Sequence, residues 1–211
     1  MTEAEWMTCD NLHAMLESIS GATSDRKQRL VICAYSRLVW PDLGDVGHNG
    51  VETAERWADG EVSDEVADRV LKEVQAVIPG DGDTVPDSEV AWALIWGTRG
   101  SSYPPWYWAT LAVRNVQEWL GVESGSLAHL LRDIFGNPFR PATLDTAWRT
   151  STVLALAAQM YESRDFGAIP ILADALQDAG CDNDDVLNHC RDEKQVHVRG
   201  CWVVDLVLGK V

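Results

Sequence analysis

Positive charge is scarce in this chain. Lys and Arg number 17 against 33 Asp and Glu, so 211 residues carry a formal net charge of −16. An excess of that sign repels phosphate backbones and anionic lipid surfaces, which disfavours sequence-general nucleic-acid binding and membrane-surface attachment. Ordinary solvated helix faces account for the charge, and an acidic mimic of nucleic acid that blocks a basic partner is the alternative it suggests. Cysteine is also sparse and odd in number, five in all, with no spacing typical of a secreted disulfide framework. The first residues lack the basic and apolar regions of a signal peptide. No apolar run approaches the roughly 20 residues needed to cross a bilayer, so a cytoplasmic location is expected. Glycine-rich phosphate loops, Gly-x-Ser-x-Gly elbows and His-Glu-x-x-His helices are missing, which removes the usual support for those enzyme classes.

With 46% hydrophobic and 24% charged residues, the composition is that of a folded globular chain. Its patterning predicts short amphipathic helices throughout. Thr2 with Glu5 forms a capping box, Asp10 is expected to cap a second helix, and Ser24 a third that runs to Pro41. Ser63 opens a stripe of Val66, Val70, Val74, Val77 and Ile78 at three- and four-residue spacing. Residues 79–86 read as the strongest loop, and a helix is expected from about Pro105 to Leu120. Gly136 closes a helix bearing Leu127, Leu130, Leu131 and Ile134, and further helices follow to Leu208. The expected fold is all-α, an irregular bundle or a short α-solenoid. A boundary at the Gly121–Ser126 break would divide it into 1–125 and 126–211.

Three groups of residues invite chemistry. Near the C-terminus lie Cys181, His189, Cys190, His197 and Cys201. His189 or Cys190, together with His197 and Cys201, would offer zinc a tetrahedral set shared by two short helices, although no Cys-x-x-Cys knuckle is present. The plainer account makes the thiols core residues and the imidazoles surface or capping groups. The same residues suggest a Cys–His nucleophilic pair, with Gly200 at a helix start supplying backbone donors to Cys201; an apolar setting around Trp202, Val203 and Leu206 argues against it. The acidic stretches at 81–83 and 182–185 lack the ligand order of a calcium loop, and the second suits helix capping. Finally, ten tryptophans are unusual, and Trp106, Tyr107 and Trp108 directly follow two prolines. One helix cannot bury three consecutive aromatics on one face, so Trp106 with Tyr103 is assigned to an interface and Trp108 to the core.

Several strings also carry a resemblance. Ala4-Glu-Trp6 and Ser24-Asp-Arg-Lys-Gln-Arg-Leu30 lie at one end. At the other are Leu130-Leu-Arg-Asp-Ile-Phe-Gly-Asn-Pro-Phe-Arg-Pro141, Ile169-Pro-Ile-Leu-Ala-Asp-Ala-Leu176, Ala179-Gly-Cys181, His189-Cys-Arg191 and His197-Val-Arg-Gly-Cys-Trp-Val-Val-Asp205. Together these resemble a family of uncharacterised planctomycete proteins, over somewhat more than half the chain. The middle, Val62 to Gly121, departs from that pattern. The resemblance implies a reusable C-terminal module but no activity, cofactor or partner. On residue chemistry the expected function is therefore non-enzymatic, a protein–protein interaction or scaffold protein that binds a partner or itself. The alternative is a zinc-stabilised module or thiol-dependent enzyme centred on the C-terminal cluster.

Overall fold

The computed structural model describes residues 1–21, 23–76, 114, 117, 121 and 124–210. Among them the fold is all-α, with no strand. The loop at 79–86, Val77 and Ile78, the expected interface pair Tyr103 and Trp106, and Trp108 all lie outside the described residues.

The chain divides into two compact units, one of Met1 and Cys9–Ala128, the other of Thr2–Thr8 and His129–Val211. In the first unit, α2 (Leu12–Ile19), α3 (Asp25–Leu38), α4 (Asp45–Ala58) and α5 (Asp64–Ala76) follow in order. The cap of α2 is Asn11, which accepts from the Ala14 N–H at 3.1 Å, and not Asp10; both residues are good caps, and the true one sits three residues before the amide it satisfies. Ser24 caps α3 as expected, accepting from the Lys27 N–H. Helix α4 packs on both α3 and α5. Ion pairs with buried carboxylates in this unit include Arg37 with Glu55 at 2.6 Å and Arg26 with Asp59 at 2.9 Å. The stripe on α5 buries Val70 and Val74 with Ala67 and Leu71, while Val66 is half-buried.

The second unit begins with α1 (Glu3–Thr8), whose capping box is reciprocal: Glu5 accepts from the Thr2 N–H and Thr2 from the Glu5 N–H. Six residues are too few for a self-sustaining helix, so its stability must come from tertiary contacts. Fully buried Trp6 supplies them: its indole N–H donates to the Gly136 carbonyl at 2.9 Å, and Arg132 donates twice to the Trp6 carbonyl. The division between units falls within α6 (Ser124–Phe135). Beyond it come α7 (Ser151–Ser163), α8 (Ile169–Asp178), α9 (Asp184–Arg191) and α10 (Trp202–Leu208). Helix α7 packs against α8 and α10, and α9 against α8 and α10. They enclose a core that includes Val153, Met160, Tyr161, Leu172, Leu176, Val186 and Val204. No described helix is long and apolar enough to cross a membrane.

Candidate metal centre

Four polar side chains converge inside the second unit, each delivered by a different local device. Asp133 stands on the last turn of α6, which ends at Gly136 with φ of +64°. His189 stands on the last turn of α9, whose start is fixed by Asn183 accepting from the Asp185 and Val186 N–H groups. His197 comes from the non-helical stretch 192–200. Cys201 is the N-cap of α10, reached through a turn in which its own N–H donates to the Val198 carbonyl at 2.9 Å.

The distances among them are short and of one kind. His197 Nδ1 lies 2.7 Å from Asp133 Oδ1, and His189 Nε2 lies 3.2 Å from the same oxygen. His189 Nε2 is also 3.2 Å from Cys201 Sγ, and His197 Nδ1 is 3.8 Å from it. All four ligand atoms fall within 4.8 Å of one another. A tetrahedral ion with bonds of about 2.0–2.3 Å would set its ligands about 3.3–3.6 Å apart, and the four distances above lie within about 0.6 Å of that range. The remaining carboxylate oxygen, Oδ2, accepts from the Val198 N–H at 2.8 Å, an outer contact that holds Oδ1 toward the other three groups.

Burial closes the site. The Asp133 side chain has no exposure, His197 5% and His189 12%, and Cys201 is fully buried. Aromatic rings line the imidazoles: Trp202 lies 5.1 Å from His189 and Phe166 lies 6.4 Å from His197, centroid to centroid. Burial pushes the Asp133 carboxyl up, but hydrogen bonds and charge from His189 and His197 outweigh it and hold the group below the usual carboxylate range. Burial pushes the Cys201 thiol well up, with Asp133 adding to it, against the weaker pull of the Val204 and Val203 N–H groups. The pull on the Cys201 thiol expected from Gly200 comes instead from the Val204 and Val203 N–H groups, and burial outweighs it. The structure therefore presents a buried Asp/His/His/Cys group able to hold a metal ion.

Of the residues singled out by sequence, His189, His197 and Cys201 come together and Cys190 does not join them. Consecutive residues on a helix point about 100° apart, so with His189 aimed at the cluster Cys190 faces the apolar core, 1% exposed among core residues that include Val186 and Leu187. Burial raises its thiol to about 12. Cys181 is likewise a buried core residue. Asp133 takes the fourth place, and sequence reasoning passed over it. The available signal was its position on α6, about 60° from the edge of the stripe made by Leu127, Leu130, Leu131 and Ile134, where a carboxylate borders the interior. The acidic stretch 182–185 serves as a helix start, with Asn183 as cap and Asp184 and Asp185 in the first turn. Comparison with family models, with curated proteins and with solved structures finds no match to this chain.

Proposed function

We propose that the C-terminal unit is a zinc-stabilised, non-enzymatic module in which Asp133, His189, His197 and Cys201 hold one ion. One observation carries the reading: each histidine turns a single ring nitrogen toward both Asp133 and Cys201, Nε2 in His189 and Nδ1 in His197. A thiol–imidazole–carboxylate relay needs the two ring nitrogens divided, one to the nucleophile and one to the orienting carboxylate. A shared central ion needs the opposite, one nitrogen per ring aimed at a common point. Two neutral imidazoles, a thiolate and a carboxylate would balance a divalent ion, so the centre can be buried without net charge. The mixed nitrogen, sulfur and oxygen donor set suits zinc. Four protein donors and near-complete burial leave no position for substrate, which favours a structural role over catalysis.

All four residues lie within the strings that resemble the planctomycete family, and the proposal extends to proteins carrying those strings. The interaction role expected from Tyr103 and Trp106 stays a separate proposal, since those residues lie outside the described part of the chain. Metal analysis of protein purified without added zinc tests the centre. We expect about one equivalent of zinc, lost in Cys201→Ser and retained in Cys190→Ser. A metal-free protein that takes up no zinc on titration, with a single hyper-reactive cysteine, would overturn it in favour of thiol chemistry.

A further inference from the structure

Residues 192–200 contain no helix, and two of their contacts with the rest of the unit end on Asp133. Its Oδ2 accepts from the Val198 N–H at 2.8 Å and its Oδ1 faces His197 Nδ1 at 2.7 Å. Outside that pair, the Gln195 side-chain amide donates to the His129 carbonyl at 3.2 Å, and Arg199 lies 4.5 Å over the Tyr161 ring. Near its start the segment also bonds to itself, from the Gln195 N–H to the Asp192 carbonyl and from the Lys194 N–H to the Asp192 carboxylate. The outer part is solvated: Asp192, Glu193, Lys194 and Val196 are all exposed. Toward Cys201 the segment turns inward, with Arg199 and Gly200 buried, so its solvated outer part is the portion that opens locally at lower cost than packed helices do.

We propose that the segment 192–201 is a metal-operated latch, closed when the ion is bound and free to open as a local unit when it is lost. The inference rests on the zinc reading above. An ion bound by His197 and Cys201 would pin both ends of the tight turn 197–201, and through Asp133 and His189 would tie that turn to the ends of α6 and α9. Opening the segment then requires breaking the bonds from His197 and Cys201 to the ion. Metal occupancy thereby controls whether the backbone of the half-buried turn around Val198 is available to solvent or to a partner chain.

Hydrogen exchange followed by mass spectrometry on the full chain tests this, with zinc content measured on the same samples. For an amide whose exposure requires release of the ion, free Zn2+ at about 100 times its Kd slows exchange about 100-fold relative to chelated protein. We expect that slowing in peptides covering 192–201, including the Val198 and Cys201 amides, and a much smaller change in α7 and α8. Asp133→Asn should abolish the zinc response while α7 and α8 keep their protection. If zinc binds at one equivalent and the 192–201 peptides exchange at an unchanged rate, the latch is refuted and the metal centre stands. Equal slowing of α7 and α8 also refutes it, because opening is then global. Failure to bind zinc at all overturns the centre and the latch together.

Discussion

Cys190 and Cys201 are both buried thiols in the same unit, and their surroundings give them different work. Cys201 faces two imidazoles and a carboxylate, whereas Cys190 faces the apolar core, where burial lifts its thiol to about 12 from an ordinary value of 9.0. A group whose pKa is raised by folding contributes its full stability below the unfolded value and loses it as pH climbs toward the folded one. The protein should therefore weaken between about pH 9 and 12 as unfolded chains, but not folded ones, ionise at Cys190. Urea midpoints taken near pH 8 and about pH 10.5 check this: the fall between them should be smaller in Cys190→Ala than in the parent. An identical fall in both proteins would show that Cys190 ionises as easily folded as unfolded. The same contrast shows what a sequence discloses at this scale. Histidine and cysteine near the C-terminus announce metal chemistry by residue type, so three of the four donors were readable. Asp133 was not, because 33 acidic residues make any one carboxylate unremarkable until its burial is known.

At the scale of elements, the helix ends marked by Thr2, Ser24 and Gly136 follow from periodicity and punctuation, whereas packing between helices does not. Helix α1 illustrates the gap: its capping box is evident in six residues, but its partner surface lies more than a hundred residues away at Arg132 and Gly136. Gly136 also bears on the metal centre. A Cβ there would adopt a left-handed φ of +64° and meet the Trp202 indole at 3.0 Å, and that indole packs beside His189. Gly136→Ala should cost about 1–3 kcal/mol from backbone strain alone. It should also weaken zinc binding, because displacing Trp202 shifts the imidazole it flanks. Chemical denaturation with and without zinc separates the effects: a strain-only outcome would lower stability equally in both conditions.

For the whole molecule, two units with one candidate metal centre among the described residues, in the second, imply unequal dependence on metal. An ion that binds the folded form alone adds about 2.7 kcal/mol at 100 times its Kd. Chelation should accordingly lower the melting transition of the second unit and leave that of the first in place, visible by calorimetry as the separation or reordering of two transitions. A single transition lowered as one would mean that the units unfold together. The all-α class was readable from patterning because each helix buries its own stripe. The allocation of Thr2–Thr8 to the second unit was not, because it depends on one buried tryptophan finding a distant carbonyl.

The two imidazoles reach the centre with arms of different length. His197 offers Nδ1, two bonds beyond Cβ, so its main chain would run close to a bound ion; His189 offers Nε2, at the far side of its ring, so helix α9 would stand back. A centre built this way gauges two separations at once, a near backbone and a distant helix. Exchanging the tethers, with a long side chain on the near segment or a short one on the helix, would leave the donor chemistry intact and the geometry wrong. Chemical similarity is therefore a poor guide to tolerated replacements at 189 and 197, and reach is the better one.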